Sequence, residues 1–276
     1  MGKVIAVCTS ERKGLQKSDV KSAHFTTEWG IDGDAHAGKW HRQISLLSAD
    51  KIAAFNEKGA NVIPGAFGEN LVVEGFDFRS LPVGTLLRCG DVLLEMTQIG
   101  KQCHSHCEIY KKMGDCIMPR EGVFARVIEP GTITVGDEMV IEKREGRFPW
   151  QTAIITLSDK GSAGQRKDES GPAIAKRLAD SGYDVVEELV IPDDERVLKQ
   201  ELMRLCDQRQ LDLILVTGGA GSVAQEAMSA VSDKPAPSIA SSAVRGKTLI
   251  VYSPEEHMDA LMDSAPQVME SLRNGR

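Results

Sequence analysis

The stretch that best indicates the fold of the first half of the chain is Leu86-Leu87-Arg88-Cys89-Gly90-Asp91-Val92-Leu93-Leu94-Glu95. Its central Cys89-Gly90-Asp91 is a turn signal between two apolar runs, which is typical of a β-hairpin. Similar short apolar runs, separated by glycine or proline, lie on both sides of it. They are Val4–Val7, Ile44–Leu47, Leu71–Val73, Val123–Val127 and Met139–Ile141. Many short strands at such spacing predict a mostly β, barrel-like domain over residues 1–143.

One helix interrupts these strands, and a charged segment follows them. The helix is predicted at Ala49–Lys58, with Ser48 at its start and Gly59 at its end. Residues 144–151 are charged and contain Pro149, so we expect a linker there. At 276 residues the chain is long for a single core, which also favours two domains.

From residue 152 onward, strands and helices alternate. The predicted strands are Ala153–Leu157, Val185–Ile191, Leu213–Thr217 and Thr248–Tyr252. The predicted helices are Ser170–Ser181, Asp193–Gln208, Gln225–Ser232 and Glu255–Arg273. This order predicts a three-layer α/β domain over residues 152–276, with a mainly parallel sheet and helices on its faces.

Composition limits the classes of function. The net charge of −7 argues against a nucleic-acid-binding protein, although a local basic patch is compatible with a phosphate ester. No apolar run approaches the length of a membrane span, and the N-terminal apolar run is too short for a signal peptide. We therefore expect a cytoplasmic protein with reduced cysteines, in which metal binding or catalysis by cysteine is favoured over disulfides.

Chemistry-bearing side chains crowd together in Gly100-Lys101-Gln102-Cys103-His104-Ser105-His106-Cys107, and Cys116 follows shortly after. Nearby lysines favour the reactive thiolate over the thiol. Cys103, Cys107 and Cys116 are a possible ligand set for zinc, with the histidines, or for an iron-sulfur cluster. In a second hypothesis, Cys107 or Cys116 attacks a persulfide on Cys103. In a third, Cys116 is a buried small apolar residue.

Four segments of the first half occur in a characteristic order. They are Gly33-Asp34-Ala35-His36-Ala37-Gly38, then His41-Arg42-Gln43-Ile44-Ser45-Leu46-Leu47, then Pro64-Gly65-Ala66-Phe67-Gly68-Glu69-Asn70-Leu71, and finally Thr97-Gln98 shortly before Cys103. Together they resemble the MOSC family, the domain found at the C-terminus of molybdenum cofactor sulfurases and as stand-alone bacterial proteins. The resemblance covers about residues 3–143. It implies a β-barrel-like fold with a cleft for the pterin-based molybdenum cofactor.

The resemblance also implies roles for individual residues. At Cys103 the family has a cysteine that carries persulfide sulfur or ligates molybdenum, and a loop thiolate is suited to that chemistry. The residues expected to line the cofactor cleft are Asp34, His36, Arg42, Glu69, Asn70 and Lys101. The guanidinium of Arg42 is suited to a bidentate contact with a phosphate or a pterin. Alternatives are that Asp34 is a turn residue, that His36 forms only hydrogen bonds at the barrel rim, and that Glu69 and Asn70 cap a loop.

Two loops follow strand ends in the second half, where open α/β sheets bind ligands. One contains Ser158-Asp159-Lys160-Gly161 and continues to Asp168-Glu169-Ser170-Gly171-Pro172; the other is Thr217-Gly218-Gly219-Ala220-Gly221. Glycine-rich loops before a helix let backbone N–H groups surround an anion. The pair resembles the molybdopterin-binding, MogA/MoaB-like domain over about residues 152–273. The resemblance implies pterin binding, with magnesium, through Ser158, Asp159, Asp168, Ser170, Gly171, Thr217, Gly218, Gly219 and Gly221.

The second half departs from that family after its glycine loop. The family's Ser-Pro-Arg-Asp and Thr-Pro-Glu-Ala are replaced by Ser222-Val223-Ala224-Gln225-Glu226-Ala227-Met228. Glu226 keeps an acidic residue, but the arginine and proline are missing. This degenerate pattern predicts pterin binding without adenylyl transfer; the alternative is a scaffold or an oligomerisation domain.

The combined interpretation is a protein of molybdenum cofactor biosynthesis with sulfurtransferase-type maturation activity that does not depend on pyridoxal phosphate. The expected partners are the pterin cofactor, a cysteine desulfurase as sulfur donor, a molybdoenzyme acceptor and further copies of the chain. Two alternatives remain open. One is a molybdenum-dependent reductase of N-hydroxylated compounds, and the other is a non-catalytic cofactor-binding adaptor.

Overall fold

The computed structural model describes residues 1–103, 107–143, 148–236, 239–254 and 257–274. The chain forms two compact units, Met1–Glu145 and Gly146–Arg276. The predicted two-domain architecture is therefore confirmed. No helix among the described residues is both long enough and apolar enough to cross a bilayer.

The first unit is mostly β. Its strands are β1 (Gly2–Thr9), β2 (Ser18–Asp19), β3 (Ser22–Thr26), β4 (Gly30–Ile31), β5 (Ile44–Ser48), β6 (Leu71–Glu74), β7 (Leu86–Cys89), β8 (Val92–Ile99), β9 (Val123–Glu129), β10 (Gly131–Thr134) and β11 (Glu138–Glu142). Its helices are α1 (Ala49–Glu57), α2 (Glu108–Met113) and α3 (Met118–Glu121), with a 3₁₀ turn at Phe78–Ser80. The described part of the unit thus contains every strand that the sequence predicted.

Seven of these strands close into a barrel in the order β11-β7-β8-β9-β5-β6-β1, and pairing of β1 with β11 completes the ring. The predicted hairpin is confirmed, with Leu86 opposite Glu95 and Cys89 opposite Val92. β5 and β6 run parallel, and the other barrel neighbours are antiparallel. The strand pair β1–β2 and a small sheet, β10-β3-β4, extend the barrel.

Two apolar clusters stabilise this unit. One fills the barrel with buried side chains from almost every strand, including Leu46, Leu94 and Met96. The other packs α1 against the barrel through Phe55 and Phe67, whose rings meet edge to face. Burial of large apolar and aromatic side chains of this kind is the main favourable contribution to folding. The barrel is therefore a rigid support for the loops that carry the candidate site.

The second unit is a three-layer α/β domain. Its strands are β12 (Trp150–Leu157), β13 (Tyr183–Ile191), β14 (Leu213–Gly218), β15 (Lys234–Pro235), β16 (Ser242–Arg245) and β17 (Thr248–Tyr252). Its helices are α4 (Asp159–Ser162), α5 (Ser170–Asp180), α6 (Glu195–Met203), α7 (Gly221–Val231) and α8 (Met258–Asn274), and α6 continues as a π-helical turn at Arg204–Gln208.

The sheet order is β13-β12-β14-β17-β16-β15, with the first four strands parallel and the last two antiparallel. One apolar cluster includes residues of α6 and α7, and a second includes residues of α5 and α8. The mainly parallel sheet is confirmed. The antiparallel strands β15 and β16 were not predicted, because their short sequences contain polar residues and a proline.

Three of the element boundaries that differ from the sequence prediction affect the second unit's linker and loops. β12 begins at Trp150, inside the segment predicted as a linker. α6 begins after Asp194, whose side chain caps it by accepting a hydrogen bond from the Val197 N–H. α7 begins at Gly221, four residues before the predicted start at Gln225, so this helix follows the glycine loop directly. The glycine loop therefore leads straight into a helix N-terminus, which is a favourable place for an anion.

Candidate functional site

Asp34 is the centre of the candidate site in the first unit. Its buried carboxylate accepts hydrogen bonds from the Lys17 ammonium at 2.5 Å, the Ser10 N–H at 3.1 Å and the Asn70 amide at 2.9 Å. Ser10 and Lys17 are the buried ends of an exposed loop, residues 11–16. One carboxylate therefore fixes both ends of that loop. The sequence left Asp34 as either a site residue or a turn residue, and it gave no sign of these contacts.

The electrostatics of this cluster favour the ion pair. Burial alone raises the pKa of Asp34, but the hydrogen bonds from Lys17 and Asn70 outweigh it and hold that pKa below its ordinary value. Burial also lowers the pKa of Lys17, against the opposing effect of Asp34. A buried charge of this kind is tolerated only with a partner and satisfied hydrogen bonds. Asp34 is thus an ionised structural centre.

Glu69 and Asn70 support the same loop from the protein interior. The Asn70 side chain accepts hydrogen bonds from the N–H and the hydroxyl of Ser45, and it donates to the Cys8 carbonyl as well as to Asp34. The Glu69 carboxylate accepts from the N–H groups of Gly65 and Phe67, and burial raises its pKa.

Neither of these two side chains is exposed: Glu69 is 0% and Asn70 is 2% accessible. The sequence predicted that Glu69 and Asn70 contact the cofactor, but their side chains have almost no exposed surface for such a contact. The geometry agrees with the alternative that both residues cap and brace a loop.

His36 lies at the edge of the Asp34 cluster. Its Nδ1 atom is 3.9 Å from an Asp34 carboxylate oxygen and has no hydrogen-bond partner among the described residues. Burial lowers the pKa of His36, and the nearby positive charges of Lys17, Lys13 and Lys101 add to this effect. Lys17, Lys13 and Lys101 thus contribute positive charge at this imidazole, and Asp34 contributes negative charge. The sequence did not reveal the influence of Lys13 and Lys17.

Arg42 and Trp40 form a stack in the same segment. The Arg42 guanidinium carbon lies 4.8 Å from the ring centroid of Trp40 and 5.6 Å from that of Phe124. The Trp40 indole N–H donates a hydrogen bond to the His36 carbonyl at 3.1 Å. Cation–π contacts of this kind fix both partners. Arg42 is therefore held against aromatic rings close to His36.

The loop that carries Cys103 leaves the barrel at the end of β8. Thr97 donates a hydrogen bond to the His41 carbonyl at 2.5 Å, and Gln98 donates to the Gly100 carbonyl at 2.7 Å. Gly100 has a φ of +69°, and a Cβ there would lie 2.3 Å from the Pro119 carbonyl oxygen, so only glycine is accommodated. The loop is thus fixed up to Lys101, whose N–H donates to the same carbonyl.

Cys103 and Cys107 are free and exposed, whereas Cys116 is free and buried. Cys116 packs in the apolar cluster that includes α1, and burial raises its pKa. Within the described ranges, no three His, Cys, Asp or Glu side chains are arranged to hold a metal ion. Zinc or iron-sulfur ligation by Cys103, Cys107 and Cys116 therefore stays a prediction. His104 and His106 lie outside the described residues.

In the second unit, three loops at the carboxyl ends of neighbouring strands are joined through Asp193. Its N–H donates to the Asp159 carboxylate at 3.0 Å, and its own carboxylate accepts from the Ala220 N–H at 2.6 Å. Ser158, at the end of β12, caps the short helix α4 by accepting from the Gly161 N–H at 3.0 Å. The sequence assigned Asp193 only to a helix start, although in the structure it links the loops.

The Asp168 carboxylate joins α5 to the sheet. It accepts hydrogen bonds from the Thr156 hydroxyl at 3.0 Å and from the Gly171 N–H at 3.2 Å. A Cβ on Gly171 would lie 2.4 Å from an Asp168 oxygen, which explains the glycine at this position. Ser170, the first residue of α5, is partly exposed beside them. Asp168, Ser170 and Gly171 thus meet at one helix N-terminus, as the sequence predicted.

The glycine loop after β14 is shaped by two left-handed residues, Gly218 with a φ of +73° and Gly219 with a φ of +60°. A Cβ on Gly219 would lie 2.6 Å from an Asp193 oxygen, and a Cβ on Gly218 would lie 2.7 Å from the Leu157 carbonyl oxygen. Thr217 is buried at the end of β14, and Gly221 begins α7. The loop therefore packs closely against the neighbouring loops. Glu226 is exposed in the second turn of α7.

Comparisons with known proteins agree with both halves of this description. The sequence profile of the MOSC domain matches residues 33–140. The profile described as a probable molybdopterin binding domain matches residues 153–246. The molybdopterin binding profile, together with relatives named molybdopterin adenylyltransferase, supports a role related to the molybdenum cofactor.

Individual relatives match only part of the chain. The molybdopterin adenylyltransferase of Pyrococcus furiosus is 35% identical over 79 residues, which is 29% of this chain and 46% of that protein. The chain thus spans about half the length of the curated relatives that it matches.

Among solved structures, YUAD protein from Bacillus subtilis has a TM-score of 0.44 at 21% identity, covering 50% of this chain and 94% of that one. The molybdopterin biosynthesis enzyme MoaB from Thermus thermophilus has a TM-score of 0.42 at 27% identity, covering 46% of this chain and 98% of that one. From the two profile matches, the chain combines a MOSC domain with a probable molybdopterin binding domain.

Proposed function

We propose that this chain handles a molybdopterin species with both domains and that Cys103 carries sulfur to the metal of the cofactor or ligates that metal. The observation that carries the proposal is the position of Cys103. It is an exposed thiol on a loop that is anchored as far as Lys101, and the charge of Lys101 acts on His36. The substrate of the site is the cofactor itself.

The first domain is suited to the anionic part of such a molecule. Lys13 and Lys101 act with Lys17 on His36, whose Nδ1 atom has no hydrogen-bond partner among the described residues. A phosphate ester would be attracted by this positive charge and would offer acceptors to Lys13 and Lys101, whereas the Lys17 ammonium is buried and paired with Asp34. Asp34, Glu69 and Asn70 then serve as positioning residues, because their side chains fix the loops that carry the cations.

The sulfur chemistry requires a thiolate that other proteins can reach. Cys103 is exposed and follows Lys101 by two residues, whereas Cys8, Cys89 and Cys206 are buried and have pKa values raised to about 12 by burial. The Cys103 thiolate would attack the terminal sulfur of a persulfide on a cysteine desulfurase and release the donor cysteine as a thiolate. Passing that sulfur to the metal as sulfide is a reduction, for which a cellular thiol supplies the electrons.

The second domain is proposed to hold molybdopterin without adenylylating it. Its three loops at the carboxyl ends of parallel strands are joined through Asp193, at the position where open α/β sheets bind ligands. The missing arginine and proline after Gly221 remove side chains that the family has there, which is why we propose binding alone. If a magnesium ion assists molybdopterin binding, Asp159 and Asp193 would supply its carboxylate ligands.

Joining both domains in one chain raises the effective concentration of one site at the other. A labile cofactor released from the second domain would therefore encounter the first domain more often than it would if the two domains were separate proteins. A molybdoenzyme acceptor would take the finished cofactor.

The proposal is tested by incubating the full chain with a cysteine desulfurase and cysteine and then locating bound sulfur by peptide mass spectrometry. We expect one added sulfur atom on Cys103, no transfer to the Cys103→Ser variant, and normal transfer to Cys107→Ser. An active desulfurase that labels no cysteine, or labels Cys107 in place of Cys103, would refute the assignment.

A further inference from the structure

We infer that Trp40 is the platform on which the planar ring of a pterin stacks in the first domain. The inference rests on the proposed function, which concerns the phosphate and the sulfur chemistry, and adds the residue that recognises the heterocycle. Trp40 is 40% exposed although tryptophan is usually well buried. The exposed indole of Trp40 lies beside the charged guanidinium of Arg42.

The indole is held in a single orientation by two contacts. Its N–H donates to the His36 carbonyl at 3.1 Å, and the Arg42 guanidinium lies over the ring at 4.8 Å. Arg42 is in turn 5.6 Å from the centroid of Phe124, a buried residue of β9. The order from the interior outward is therefore Phe124, Arg42 and Trp40. A ring fixed in this way loses little entropy when a ligand packs against it.

The chemistry of the exposed indole suits a flat heteroaromatic ligand. Aromatic side chains stack with bases and related rings through dispersion and complementary quadrupoles, with little dependence on ring substituents. No second aromatic ring stacks on Trp40 within the part of the chain described by the structure. The ring contact of Trp40 is thus with a cation, and the residue is 40% exposed.

The position of Trp40 links ring recognition to anion recognition. The carbonyl that fixes the indole belongs to His36, and the imidazole of the same residue is the one influenced by Lys13, Lys17 and Lys101. A single short segment therefore presents an aromatic plane next to the Arg42 guanidinium and the backbone of His36. The ligand that matches both is a heteroaromatic ring with a phosphate ester, which is the chemical class of molybdopterin.

The test uses the full chain and a stable probe, a pterin that carries a phosphate monoester on its side chain. The indole N–H signals of the three tryptophans are followed by nuclear magnetic resonance, and Trp40→Phe identifies the signal of Trp40. Stacking of the probe should shift that signal through the ring current while the signal of Trp150, in the second domain, stays in place. Glycerol phosphate, which lacks the ring, should shift the His36 signals and leave the Trp40 signal nearly unchanged.

Affinity is read from the His36 ring signals, so that a ligand bound in the second domain does not interfere. Trp40→Leu keeps apolar bulk but removes the aromatic plane, and we expect it to weaken probe binding on the order of tenfold. Trp40→Phe should retain most of the affinity. Trp29→Leu is the matched control, because Trp29 is 43% exposed, and it should bind as the original chain does.

Each outcome separates the two proposals. If the probe shifts His36 but not Trp40, or binds equally well to Trp40→Leu, the stacking inference is wrong and the anion site stands. If the probe affects neither residue, the proposed function of the first domain fails as well. A Trp40→Leu variant that loses self-association in ultracentrifugation while keeping its affinity for the probe would assign the indole to contact between copies of the chain.

Discussion

The Asp34 carboxylate and the Lys17 ammonium form a buried ion pair at 2.5 Å that fixes the end of an exposed loop. Replacing Asp34 with alanine leaves a buried ammonium without its partner, at a cost of about 3–5 kcal/mol in the free energy of unfolding. Urea unfolding of the first domain measures this cost. A Trp150→Phe background confines the tryptophan fluorescence to the first domain.

The matched control for this prediction is Lys21→Ala. Lys21 pairs with Asp19 at 2.6 Å, but its side chain is 72% exposed. An exposed pair contributes at most about 1 kcal/mol, so the control should differ little from the original chain. Equal stability losses for the Asp34 and Lys21 variants would show that the buried pair has no special role.

The lowered pKa of Asp34 also predicts how the free energy of unfolding changes in acid. The pKa of Asp34 in the folded chain lies below its ordinary value. In the unfolded chain its pKa is about 3.9. The unfolded state therefore binds more protons than the folded state as the pH falls through and below about 4. The contribution of the ion pair to the free energy of unfolding is lost over that range.

The comparison is between the original chain and Asp34→Asn. The difference in the free energy of unfolding should shrink as the pH falls from about 5 through about 4, because protonation removes the charge of Asp34, which the asparagine variant lacks at every pH. Urea midpoints over this pH range measure it. A difference that stays constant down to about pH 3 would contradict the assignment of Asp34 as an ionised centre.

Gly219→Ala should disable the ligand site of the second domain. A Cβ there would lie 2.6 Å from an Asp193 oxygen and 2.7 Å from the Leu157 Cβ, in addition to the strain of a positive φ. We expect a loss of molybdopterin affinity of at least about tenfold, because the loop that Asp193 holds must move. Nuclear magnetic resonance titration of the full chain, read from the Gly171 N–H signal in the second domain, gives the affinity.

Gly182→Ala is the control for this variant. Gly182 has a φ of +84° with nothing within 4 Å of an added Cβ, so it should lose about 1–2 kcal/mol of stability through strain alone and keep its affinity. If both variants lose stability equally and both bind molybdopterin, the close packing of the glycine loop has no part in binding.

The neighbouring aspartates Asp193 and Asp194 should have different roles. Asp193 accepts a hydrogen bond from the Ala220 N–H, whereas Asp194 caps α6 through the Val197 N–H at 2.9 Å. Asp193→Ala should weaken molybdopterin binding, since the glycine loop loses its link to the next loop. Asp194→Ala should lose about 1 kcal/mol of stability, the usual cost of a lost N-cap, with binding intact. Unchanged molybdopterin affinity in Asp193→Ala would rule out the linking role.

Much of the fold follows from local pattern. The hairpin at Leu86–Glu95 is predicted because apolar runs and turn residues are properties of neighbouring positions. The alternation of strands and helices after residue 152 predicts the parallel sheet for the same reason. Closure of the barrel by β1 and β11 joins segments more than a hundred residues apart, and no local pattern indicates it.

The candidate site was predicted less completely, because its contacts are non-local. Asp34 was identified by a motif, but its pairing with Lys17 depends on a loop that returns to the barrel. Asp193 was taken as a helix start because it lies beside Asp194, and only the fold shows which of the two caps the helix. Cys116 lies near reactive cysteines in sequence, yet it packs in an apolar cluster that depends on α1.

The most direct test of the central claim follows radioactive sulfur from Cys103 to the cofactor. The full chain is loaded through a cysteine desulfurase, separated from the donor, and mixed with sulfur-free molybdenum cofactor and a thiol reductant. We predict that the label leaves Cys103 and appears in the cofactor, and that Cys103→Ser delivers none. Label that stays on Cys103 in the presence of bound cofactor, or equal delivery by Cys103→Ser, would contradict the account.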